Sequence, residues 1–166
     1  GRTLLWGTGM SCHSCLLRPK SLGEVTLASA DPFADPLIDP KFLSHPDDVK
    51  DMVDGYKIMM KVLGSEQFTK YISEHTQRPI DINDDADIEQ AIREGADTVY
   101  HPVGTCKMGN DDMSVVDSRL KVHKVSGLRV VDASIMPTIV GGNTNAPTIM
   151  IGEKASDMIL EDWNIH

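Results

Sequence analysis

A fold that mixes helices with short strands follows from three patterns in the sequence. Val49, Val53, Tyr56, Met60 and Leu63 recur at helical spacing and predict a helix over 47–63, opened by Asp47 and Asp48 and stopped at Gly64. Residues 23–29 alternate as a strand does. The last third breaks into brief apolar runs, 115–117, 120–122 and 128–132, separated by polar turns. A helical pattern then resumes from Pro147 to about Leu160, with proline in the first turn, where its missing N–H costs nothing.

The remaining elements follow in order. Polar residues 20–23 are expected to turn the chain back from 11–17 into the strand at 23–29 as a hairpin. Residues 31–36 form a loop whose prolines exclude a central strand or a helix, and 39–46 is a second irregular connection. Beyond Gly64, helices are expected over 65–74 and 87–93, and Met52, Met59 and Met60 serve as adaptable core filler. Residues 104–109 form a turn bounded by glycines.

Composition narrows the function. With 166 residues and 40% of them hydrophobic, the chain has the makings of one globular domain. A formal net charge of −9 argues against nucleic acid as a partner, since a phosphate-binding surface needs clustered Lys and Arg. The acid-rich run 81–97 is a solvated face rather than a calcium loop, because it lacks the glycine such a loop requires. No apolar run approaches the roughly 20 residues of a membrane helix, and residues 1–5 do not begin a secretory signal. The odd set Cys12, Cys15 and Cys106 suggests reduced thiols. A cytoplasmic location is therefore expected, with peripheral attachment to the inner face of a membrane as a variant of it.

Four motifs are candidates for chemistry. In Cys12-His13-Ser14-Cys15 the two thiols would point to opposite faces of an extended chain, and no second pair completes a zinc site, so no metal is expected. Gly7-Thr8-Gly9-Met10-Ser11-Cys12 begins like a dinucleotide fingerprint but has Cys12 at the third glycine and no helix after it, so nothing here cradles a pyrophosphate. His101 stands before Pro102 and a glycine turn; a lone histidine is more often structural, yet a constrained loop is where function concentrates. The stretch Gly141-Gly142-Asn143-Thr144-Asn145-Ala146-Pro147-Thr148 is either a capped polar loop or a helix start aimed at an anionic group. Two other readings stay open at this point. Cys106, His101 and Asn143 supply the residue types of a cysteine hydrolase, although no helix stands behind Cys106 to activate it, and a non-catalytic binding domain is also compatible.

Tyr100-His101-Pro102-Val103-Gly104-Thr105-Cys106-Lys107-Met108-Gly109 combined with Gly142-Asn143-Thr144-Asn145-Ala146-Pro147-Thr148 resembles the C-terminal region of the glucose–methanol–choline (GMC) flavoprotein oxidoreductases. So do Leu17-Arg18-Pro19-Lys20-Ser21, the Asp31-Pro32 and Asp39-Pro40 loops, residues 127–137 and Ile151-Gly152-Glu153-Lys154, and the likeness is greatest to the choline dehydrogenase and bacterial alcohol dehydrogenase branch. The resemblance implies an α+β fold, an antiparallel sheet with flanking helices, ending in a strand, loop and helix that belong beside an FAD domain. It implies an excised C-terminal piece, with a substrate-binding part over 1–115 and returning strands and a helix facing the FAD domain over 116–166. It makes His101 the active-site histidine and Asn143 the second active-site position. Asp132 and Ala133 would run past the flavin's ribityl and pyrophosphate, with Thr144, Asn145 and Pro147 near its pyrimidine edge. FAD and a small alcohol are then expected of the whole protein, an FAD-dependent dehydrogenase. The piece alone is expected to hold no FAD, to be inactive, and to self-associate through Ile149, Met150 and Ile159, with 143–147 its least ordered catalytic segment.

Overall fold

The computed structural model describes residues 11–72 and 80–164. Gly7 and Gly9 of the fingerprint-like stretch, and the end of the helix expected over 65–74, lie outside the described residues. The chain divides into two compact units, 17–42 with 98–166, and 43–97 with the N-terminal segment up to Leu16. Each has its own core.

The helical unit contains α1 (Pro46–Leu63), α2 (Glu66–Thr69) and α3 (Asp85–Gly95). The spacing that predicts α1 also buries it: Val53 packs with Ile88 and Ile92 of α3, and Met52, Tyr56, Leu43 and Ile80 close the edges. His45 Nδ1 accepts from the Asp47 N–H at 3.2 Å, and Asp47 and Asp48 sit in the first turn, where negative charge meets the positive end of the helix. The acid-rich run is a set of caps. Asp84 Oδ1 accepts from the Ala86 N–H at 2.9 Å, and Asp87 Oδ2 from the Asp81 N–H at 2.8 Å. The cap at Asp84 starts α3 earlier than its apolar spacing alone indicates. Arg93 pairs with Glu89 one turn back at 2.8 Å.

In the second unit, β1 (Glu24–Thr26) pairs antiparallel with β2 (Leu37–Asp39), with Val25 opposite Ile38. The hairpin expected through 20–23 is not the one formed. The partner strand lies beyond the loop 31–36, where Pro36 and Pro40 flank three residues of β2 without interrupting them. Gly23 is required here, because a Cβ would sit 2.2 Å from the Asp39 carbonyl oxygen.

The expected strands at 115–117, 120–122 and 128–132 shrink to isolated bridges, Met108 with Val116, Val116 with Val122, and Lys121 with Arg129. Turns recur too often for strands to extend. Asp117 Oδ1 accepts from the N–H groups of both Arg119 and Lys121, at 2.8 and 2.9 Å, and Leu120 and Lys124 take left-handed φ values of 63° and 64°. The resulting mesh of short pairings forms a platform for α4 (Asn145–Asp162), which is longer at both ends than the pattern from Pro147 predicts. Val116, Leu120, Ile135, Met136, Ile151 and Ala155 form the buried core, with Val103 and Met108 packed against it. Each fully buried aliphatic side chain stabilises the fold by about 1.5–3 kcal/mol.

The far end of α4 is held electrostatically. Asp162 pairs with Arg119 at 2.8 Å, with Lys121 at 2.6 Å and with Arg129, while Arg119 Nη2 also donates to the Met158 carbonyl at 3.0 Å. Cations at a helix C-terminus meet its unpaired carbonyls and negative dipole end. Lys121 first, then Arg129 and Arg119, hold the Asp162 carboxyl at a pKa of about 2. Among the described residues no helix is long and apolar enough to cross a membrane.

A depressed folded-state pKa sets the sign of the pH dependence. The contribution of Asp162 is complete above the unfolded carboxylate value of about 3.9 and is lost as pH falls through the folded value. The wild-type Tm is expected to fall between about pH 4 and pH 2, and Asp162→Asn to start lower and change less over that interval. Thermal unfolding followed by circular dichroism at a series of pH values measures both. Parallel curves for the two proteins would contradict the assignment.

Candidate active site

The site begins with a backbone that is bent on purpose. Tyr100 takes a left-handed φ of 62°, uncommon for a bulky residue, and its N–H donates to Thr98 Oγ1 at 3.0 Å. His101 follows, half-buried, then Pro102 with its fixed φ, and Gly104 at φ 90°. The turn is fastened along its far side. The Cys106 N–H donates to the Ser134 carbonyl at 3.0 Å, and the Met108 N–H to the Ile135 carbonyl at 2.8 Å. Those carbonyls belong to a single 3-10 turn, Ala133–Ile135, which Asp132 caps by accepting the Ser134 N–H at 2.7 Å. Asp132 and Ala133, expected to run past a flavin, are thus placed directly behind the histidine turn.

From Met136 the chain loops to the start of α4. Gly141 lies under the Arg18 guanidinium, and a side chain at 141 would crowd it. Thr144, buried at 7% exposure, places its Oγ1 2.9 Å from His101 Nδ1. Asn143 precedes it, exposed, and Asn145 opens the helix, with Pro147 half-buried in the first turn. Of the residues expected at the site, the structure joins His101 to Thr144 by a direct hydrogen bond and puts Asn143 next to that bond in the chain. Sequence reasoning assigned Thr144 to the cofactor and missed its partnership with His101. The usable signal was a hydroxyl at a helix cap position whose third helical residue, Pro147, has no N–H to offer it.

The start of α4 carries donors. The Thr144 carbonyl accepts both the N–H of Thr148 at 3.0 Å and its hydroxyl at 2.6 Å. Pro147 has no N–H, and the Thr144 side chain makes no cap bond to the helix. The N–H groups of Asn145 and Ala146 therefore stand at the positive end of the dipole, a suitable place for partial negative charge.

Cys106 does not assemble a hydrolase. Its thiol is half-buried and free, and among the described residues no hydrogen bond joins it to His101 or Asn143. The neighbouring cation, Lys107, is paired with Asp111 at 2.9 Å, and Cys106 does not stand at the start of any helix of the described residues. Cys12 and Cys15 are free and exposed, and among the described residues no group of three His, Cys, Asp or Glu could hold a metal ion.

A sequence profile described as GMC oxidoreductase matches residues 19–152. The chain belongs to the GMC oxidoreductase family. It is 48% identical over 160 residues to the alcohol dehydrogenase [acceptor] of Pseudomonas putida, covering 96% of this chain and 29% of that protein. It is 44% identical over 151 residues to the oxygen-dependent choline dehydrogenase of Klebsiella pneumoniae subsp. pneumoniae, covering 91% and 27%. Among solved structures, the formate oxidase of Aspergillus oryzae RIB40 superposes with a TM-score of 0.85 at 33% identity, covering 91% of this chain and 27% of that one. The GMC chain thus spans under a third of the length of the curated relatives it matches, 29% and 27%. Neither the family match nor these relatives support the cysteine hydrolase reading, and the α+β fold expected from the resemblance is the one observed.

The histidine turn depends on Gly104, since its φ lies in the range L side chains avoid. Gly104→Ala is expected to destabilise the chain by about 1–3 kcal/mol, read as a lower urea midpoint with unchanged slope. An unchanged midpoint would show that the turn relaxes without strain.

Proposed function

We propose that this chain is the catalytic C-terminal part of an FAD-dependent alcohol oxidoreductase of the choline dehydrogenase type, which oxidises a primary alcohol to an aldehyde. The observation that carries the reading is His101, held half-buried on a strained turn and hydrogen-bonded to the start of α4. Residues 1–115 supply the substrate-binding part with the His101 turn, and 116–166 supply the part that faces the flavin. The His101 turn and α4 draw on one core, because Val103 and Met108 of the turn pack against the cluster that holds Val116, Ile135 and Ile151.

The residues fit a flavin at its electron-rich edge. The free N–H groups of Asn145 and Ala146 at the start of α4, without a side-chain cap, suit the anionic pyrimidine side, with Pro147 behind them. Thr144 contributes there through its backbone, its hydroxyl being engaged with His101. Asp132 and Ala133 are assigned to the ribityl and pyrophosphate side. FAD, when bound, supplies the hydride acceptor. The chain's own part is proton handling: His101 Nε2 removes the hydroxyl proton of the alcohol, and the Asn143 amide donates a hydrogen bond to the same oxygen.

The partner is the remainder of the protein, which would bring the dinucleotide-binding turn. The solvent-exposed face of α4, flanked by Ile149, Met150 and Ile159 at 59%, 56% and 37% exposure, is the one offered to it. In isolation that face promotes self-association, and the chain alone retains no FAD. A cytoplasmic protein, whether free or peripheral at the inner face of a membrane, completes the proposal.

In the full-length protein, His101→Ala is expected to lower kcat by roughly 10²–10⁴, the scale of a lost acid–base group, with flavin content near normal. Asn143→Ala should cost less, since a hydrogen bond is lost rather than a base. Steady-state alcohol oxidation measures both. Turnover by His101→Ala within a factor of about two of wild type would make His101 structural.

A further inference from the structure

We propose that Thr144 is a positioning residue for His101: its Oγ1 accepts the Nδ1–H of the ring, fixing the tautomer that leaves the lone pair on Nε2. This rests on the catalytic reading of His101. A threonine at a helix cap normally turns its hydroxyl onto the N–H of the second or third helical residue, from an extended backbone. Thr144 does neither. Its φ of −85° and ψ of −4° are helical, it makes no side-chain cap bond, and the third helical residue is Pro147, which has no N–H. The hydroxyl is turned instead to His101 Nδ1, at 2.9 Å, on a side chain more than nine-tenths buried. Its carbonyl is fixed separately by the Thr148 N–H and hydroxyl, so the residue is held at both ends.

The direction of the bond decides the chemistry. A neutral imidazole protonated on Nδ1 has Nε2 free to take the alcohol's proton. The O–H bond breaks, an Nε2–H bond forms, and the Nδ1–H to Thr144 bond persists through the transfer. The opposite direction, Thr144 donating to Nδ1, would leave the proton on Nε2 and disable the base.

The tautomer is measurable in the full-length protein by ¹⁵N chemical shifts of labelled histidine in alkaline solution, where imidazole is neutral, with the His101 signals identified by their loss in His101→Gln. Wild type and Thr144→Ser are expected in the Nδ1–H form, and Thr144→Val in the Nε2–H form that free imidazole prefers. A wild-type ring protonated on Nε2, or no change in Thr144→Val, overturns the proposal. In the full-length protein Thr144→Val should lower kcat about tenfold with KM nearly unchanged, and Thr144→Ser should restore it. Loss of activity in His101→Ala but none in Thr144→Val would overturn the positioning role alone. Retained activity in both would overturn the catalytic reading beneath it.

Discussion

The register of α4 against the mesh of turns below it is the constraint on which the site depends. A helix of 18 residues is about 27 Å long, and a slide of one turn would carry its start about 5 Å from His101. Two features prevent the slide. Ile151 and Ala155 are buried among Val116, Leu120, Ile135 and Met136, an apolar contact that holds the helix down but, being non-directional, tolerates some slip. Asp162 supplies the register, because Arg119, Lys121 and Arg129 converge on its single carboxylate. An isolated exposed ion pair stabilises little. Here Arg119 also donates to the Met158 carbonyl, so the geometry of the helix end is set as well as its charge.

The same platform carries the histidine turn. Ser134 and Ile135 present their carbonyls to Cys106 and Met108, while the Ile135 side chain enters the core under α4. The histidine turn and the helix start are therefore two faces of one packed body. The left-handed Tyr100 and Gly104 are held by that body, which is what allows strain to persist in the native state.

How much of this was legible in the sequence varied with the physics involved. α1 could be read from Val49, Val53, Tyr56, Met60 and Leu63, because helical burial writes a period into the chain, and α4 was marked by Pro147. The start of α3 was hidden, since Asp84 acts as a cap inside a run that reads as solvated acid. β1 was visible, but its partner was not: Leu37-Ile38-Asp39 is too short to show alternation, and its prolines read as a loop. Residues 115–132 were over-read as strands, because apolar pairs suggest strands whereas Asp117 and the left-handed Leu120 and Lys124 impose turns. At the site, His101 and Asn143 were legible as residue types in motifs. The pairing of Thr144 with His101 was not, since a sequence gives no rotamer and the residues lie 43 positions apart.

Native-state hydrogen exchange, resolved residue by residue, tests most directly whether the turn and the helix form one body. The account predicts that the amides of Cys106, Met108 and Val122 open together with those of Ile151 and Ala155, at a common free energy, as members of one cooperative unit. If α4 opened separately and at lower free energy, with the amides of Cys106 and Met108 still protected, the helix would not be what holds the histidine turn in place.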